Sequence, residues 1–111
     1  MDINALIQSF GIPCMAGGYT SVAPYPHIAY FDYTIVSGSD YHNQLKRHTV
    51  SAELYNDNNE DKPREIIQKT ELQIEAVLDK NGIHYEKTPA AFIQSENLWR
   101  TSYTFELLEV I

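Results

Sequence analysis

The order of patterns along the chain predicts an α+β domain. Its expected core is an antiparallel or mixed four-stranded sheet flanked by two helices, with a long hairpin formed by the first two strands. Three observations lead there. Side-chain character alternates with a period of two in residues 27–36, 45–55, 83–87 and 98–108, as strands require. One stretch, residues 63–80, instead carries its apolar residues at helical spacing. The chain has 111 residues, 43% of them hydrophobic, which suits a single domain (residues 1–111) with one core.

The first element expected is a short helix. Asp2 is placed to cap it, and Ile3, Leu6, Ile7 and Phe10 recur at i, i+3, i+4 and i+7. Gly11 and Pro13 end it. Residues 14–26 then read as a long loop with Gly17-Gly18, Pro24 and Pro26. Thirteen residues without periodicity are long for a compact domain, and such loops tend to carry function, so a contact surface is expected here.

Residues 27–36 predict a strand with Ala29, Phe31, Tyr33 and Ile35 on one face and Ile28, Tyr30, Asp32, Thr34 and Val36 on the other. Both faces are largely apolar or aromatic, so cover is expected on both, from helices on one side and another subunit on the other. Ser37-Gly38-Ser39-Asp40 marks a turn, and residues 45–55 return as a half-buried antiparallel strand with Val50, Ala52 and Leu54 inward. The hairpin tip, residues 37–43, should project from the body. After an acidic loop, Pro63 can occupy a first helical turn, Ile67, Thr70, Ile74, Val77 and Leu78 form the buried stripe, and Gly82 closes the helix. A short strand follows, expected to stop before Pro89. The last strand, residues 98–108, places Thr101, Tyr103, Phe105 and Leu107 on one face.

The residues that could carry chemistry are scattered. The four histidines (His27, His42, His48, His84) show no paired metal-ligand spacing, and Cys14 has no second cysteine. The acidic run from Asp57 resembles the start of a calcium loop, but Lys62 stands where the sharp turn needs glycine and Gln68 where a bidentate glutamate belongs. No nucleophile elbow, P-loop or dinucleotide fingerprint is present. The expectation is a protein without catalytic residues, metal or cofactor. No apolar run reaches the ~20 residues that span a bilayer, so no membrane partner is expected.

Net charge is −7, with two cations against three anions in residues 1–50 and six against twelve in residues 51–111. Such a surface repels phosphate and argues against direct nucleic-acid binding. Eight tyrosines outnumber the four phenylalanines and one tryptophan. Tyrosine favours interfaces because it joins a rigid apolar ring to a polar tip. The nominated contact residues are Tyr19, Tyr25, Tyr41 and His42, with Ser37, Gly38, Ser39 and Asp40 at the hairpin tip.

Four segments together resemble the tail terminator, or tail-to-head joining, proteins of long-tailed bacteriophages and prophages. They are Pro24-Tyr25-Pro26-His27-Ile28-Ala29-Tyr30, Val50-Ser51-Ala52-Glu53-Leu54-Tyr55, Val77-Leu78-Asp79-Lys80-Asn81-Gly82-Ile83-His84-Tyr85-Glu86-Lys87 and Tyr103-Thr104-Phe105-Glu106. The resemblance covers about residues 5–108. It implies a hexameric ring that caps the tail tube, ends its polymerisation and joins it to the neck of the head, with DNA only as passing cargo. The implied partners are further copies of the chain, the tail tube protein and a head-completion protein, and the implied location is the virion, after synthesis in the bacterial cytoplasm. The competing expectation is a small ligand-binding or regulatory domain with Tyr30, Asp32 and Glu53 lining a pocket.

Overall fold

A computed structural model of the chain describes residues 2–17, 24–37, 45–59 and 61–110. Two helices and five strands follow in the order α1 (Ile3–Ser9), β1 (Cys14–Ala16), β2 (His27–Ser37), β3 (Leu45–Asp57), α2 (Pro63–Lys80), β4 (Tyr85–Ile93) and β5 (Leu98–Val110). The strands form one mixed sheet in the order β1-β2-β3-β5-β4. Five strands replace the expected four. The addition, β1, pairs parallel with β2 over only three residues, opposite Ile28, Ala29 and Tyr30, and lies inside the stretch expected to be loop.

α1 begins as expected, with the Asp2 carboxylate accepting the Ala5 amide at 2.7 Å. It ends at a left-handed Gly11 (φ +69°). α2 occupies the expected residues and buries Ile67, Thr70, Glu71, Ile74 and Leu78. A left-handed Gly82 follows it, and the Ile83 amide bonds to the Leu78 carbonyl at 2.9 Å. That 6→1 bond closes the last turn of the helix as a Schellman-type stop does.

Both helices bring their residues to one face of the sheet. Leu6, Ile7, Phe10, Ile74 and Leu78 pack with Ile28, Val50, Ala52, Leu54, Tyr103 and Phe105 in a single core. Alternation fixes the contributors, since every second residue of β2, β3 and β5 points the same way. β2 and β3 pair antiparallel from His27 opposite Tyr55 to Ser37 opposite Leu45, and β3 pairs in the same sense with β5 over thirteen positions.

All four expected strands outrun their expected ends, β2 by one residue to Ser37 and β3 by two to Asp57. β4 continues through Pro89 to Ile93, with a register shift between Thr88 and Ala91. Proline is tolerated there because β4 is an edge strand and the bulge removes the need for an amide at that point. β5 extends two residues further, to Val110. The molecule measures 54 × 29 × 20 Å.

Candidate functional site

The helices cover only part of the sheet. On β2 they bury Ile28, while every residue from Phe31 to Val36 is exposed. This outer half of β2, with the matching parts of β3 and β5, forms an arm beyond the helical cover. The strand expected to be covered on both faces is therefore bare within the subunit over half its length.

On the helix-free face of the arm the register lays Phe31 beside Ser51, Tyr33 beside Thr49 and Ile35 beside Arg47, with Thr104, Glu106 and Leu108 on the next strand. The small Ser51 and Thr49 side chains on β3 leave Phe31 and Tyr33 standing proud. Phe31, Tyr33 and Ile35 are 54%, 69% and 45% exposed, and Leu108 is 60% exposed near the tip. Along the outer edge of β2, β1 stops opposite Tyr30, and the Gly17 amide donates to the Tyr30 carbonyl at 2.8 Å. No described residue pairs with that edge further out. It carries neither lysine nor proline from Phe31 to Ser37, the usual guards against strand addition.

On the other face one histidine ties the three arm strands together. His48 Nδ1 lies 2.8 Å from Asp32 Oδ2 on β2, and its Nε2 lies 2.9 Å from Glu109 Oε2 on β5. Thr34 Oγ1 is a further 3.2 Å neighbour of Nδ1. The ring is 4% exposed. Burial alone would lower its pKa, but hydrogen bonds and charge from Glu109 and Asp32 outweigh burial and hold the value above normal. When protonated, the ring donates to both carboxylates and links neighbouring strands through side chains as well as backbone.

A second polar network lies under α2. Buried Glu71 accepts from Thr101 Oγ1 at 2.8 Å and from Lys87 Nζ at 3.1 Å. Glu75 accepts from Tyr103 and Tyr85 hydroxyls at 3.2 and 3.3 Å. Burial, reinforced by Glu75 and Glu71, pushes the Tyr103 hydroxyl upward. These groups satisfy one another between helix and sheet, which makes the cluster a structural joint. Cys14 is likewise quiet, since burial pushes its thiol up to about 11 and it donates to the Ile12 carbonyl at 3.0 Å. Thiolate chemistry would need the opposite shift.

Of the nominated contact residues, Tyr25 and Ser37 are described, and they lie at opposite ends of β2. Tyr25 stacks on His27 with ring centroids 4.9 Å apart, and His27 lies against Tyr55 at 5.4 Å, all at the base of β2. Ser37 ends the same strand at the arm tip, ten residues away. Tyr19, Gly38, Ser39, Asp40, Tyr41 and His42 lie outside the described residues. The pocket expected from Tyr30, Asp32 and Glu53 does not form. Tyr30 and Asp32 pair with Ala52 and Val50 on the helix face, whereas Glu53 points to the opposite face and accepts from the Tyr55 hydroxyl at 2.6 Å.

Sequence reasoning placed Phe31, Tyr33 and Ile35 on one face but missed the His48 clamp. The signal for it was parity, because Asp32, His48 and Glu109 occupy helix-face positions on their strands. Seeing it required the register. Neither the family models nor the curated protein sequences contain a match to this chain.

Proposed function

We propose that the chain is a structural subunit that assembles through its arm, and that the assembly is a phage tail-terminator ring. One observation carries the reading: the exposed apolar column Phe31, Tyr33 and Ile35 on a strand edge with neither lysine nor proline from Phe31 to Ser37. Apolar surface of this kind on a long edge strand is costly for a monomer and is the usual mark of an assembly surface. A closed ring needs two different patches per subunit, and the arm offers both a face and an edge. The acidic surface suits a ring through which DNA passes without adhering, because like charges repel. In this reading the ring ends polymerisation of the tail tube and meets the neck of the head, and the protein performs no turnover. The partners are the tail tube protein and a head-completion protein, in a virion assembled within bacterial cytoplasm.

The test is assembly itself. Light scattering of the purified chain, alone and mixed with tail tube protein, should give a mass several times that of one subunit, and negative-stain images should show rings. A chain that stays monomeric in both settings would overturn the reading.

A further inference from the structure

The outer edge of β2 has a phase that restricts what can pair with it. The Ile28 amide donates to the Pro13 carbonyl at 2.8 Å, and the Tyr30 carbonyl accepts from the Gly17 amide at 2.8 Å. Residues of that parity therefore turn their backbone groups outward, while those of the other parity bond to β3. Past the last contact with β1 the outward residues are Asp32, Thr34 and Val36, and no described strand meets them. An added strand must match this phase, so its possible registers differ in steps of two residues.

We infer that the occupant is β2 of a second copy of the chain, laid antiparallel about a two-fold axis at Thr34. This register sets Thr34 against Thr34, Asp32 against Val36, Tyr33 against Ile35 and Phe31 against Ser37, using the whole free edge. Every other register leaves part of that edge unpaired or runs onto Ala29 and Tyr30, which β1 already covers. On the helix-free face the exposed apolar columns of the two arms become neighbours, with Tyr33 and Ile35 as cross-strand partners. On the other face the two Asp32 carboxylates stand apart. Each shares a row with Lys46 of the second copy, one strand beyond Val36, so the charges across the axis are complementary. Antiparallel pairing confined to the arms sends the two helical bodies to opposite ends. Such a pair closes on itself, whereas a ring joins two different patches, so pair and ring compete for this edge. The inference rests on the arm being an assembly surface, and the pair is the form that keeps the edge covered in the free subunit.

The test uses the intact chain without tail tube protein. Sedimentation over a concentration series should show a monomer–dimer equilibrium. Mild oxidation of the double variant Tyr33→Cys/Ile35→Cys should give a dimer joined between positions 33 and 35, identified by mass spectrometry. Either single variant should cross-link roughly tenfold less, because its cysteine faces an isoleucine or a tyrosine across the axis. The parent chain, which keeps Cys14, is the blank. Thr34→Lys brings two cations face to face and should weaken the dimer by roughly tenfold. Thr34→Pro removes an outward amide that β3 does not use, and it should have the same effect and serve if the lysine disturbs the fold. A parent that stays monomeric, single variants that cross-link as well as the double, or dimers indifferent to both Thr34 variants would each overturn the inference. Dimers without rings on tail tube protein would uphold it and overturn the ring, and rings from a chain that never dimerises would do the reverse.

Discussion

Protonation of His48 is favoured more in the folded chain than in the unfolded one, because both ring nitrogens face carboxylates across the arm. The groups around it are Asp32 and Thr34 on β2, Glu109 and Leu107 on β5, and Lys46 two places away on its own strand. A folded-state pKa raised above the ordinary value of about 6.5 gives stabilisation that is complete below that pH and is lost as pH rises through the native value. The Tm should therefore fall as pH rises above about 6.5, and His48→Gln should flatten that slope. Gly11 makes a separate demand: at φ +69° a Cβ would meet Gln73 Nε2 at 2.9 Å, the atom that donates to the Phe10 carbonyl. Gly11→Ala should cost about 1–2 kcal/mol in urea denaturation, from left-handed strain and the displaced amide. Asn56 points the other way. It is 2% exposed, and neither polar atom of its side chain has a partner among the described residues. Asn56→Leu should raise stability by about 1 kcal/mol, because two unsatisfied groups are replaced by an apolar one of similar size.

Among the elements, α2 depends on polar groups as much as on its apolar stripe. Thr101→Val keeps shape but leaves buried Glu71 with Lys87 as its remaining donor, so stability should fall by about 1–2 kcal/mol. A cycle with Glu71→Gln checks the assignment, since the Thr101→Val penalty should shrink when the carboxylate is gone. The α2 stripe, its stop at Gly82 and the faces of β2 were legible because each depends on local spacing. β1 was not, since three residues show no period and their partners on β2 lie fourteen residues further on. Pro89 misled for a related reason: its cost depends on whether the strand is central or at the edge, which only the sheet order states. The His48 clamp required the β2-β3-β5 register, and the Glu71 joint required α2 to be laid over β4 and β5. The base of the sheet has its own fastening, where Asn58 and Asn97 pair through side chains at 3.0 Å and Trp99 donates to Asn58 at 2.8 Å.

For the whole molecule, the division between a covered body and a bare arm separates folding from assembly. Tyr33 is 69% exposed and outside the core, so Tyr33→Glu should leave Tm within about 2 °C of the parent while reducing the assembled fraction in light scattering. Loss of fold with loss of assembly would assign Tyr33 to the body instead. The same division has a mechanical consequence. β3 has thirteen residues, about 43 Å at the usual rise per residue, so the 54 Å axis runs along the strands. A pull along that axis loads the β2-β3 and β3-β5 ladders in shear, with many bonds strained together. A pull across it opens them one rung at a time. The subunit is therefore stiff lengthwise and weak sideways, and tension applied at the arm tip passes through β3 into the body without bending the sheet.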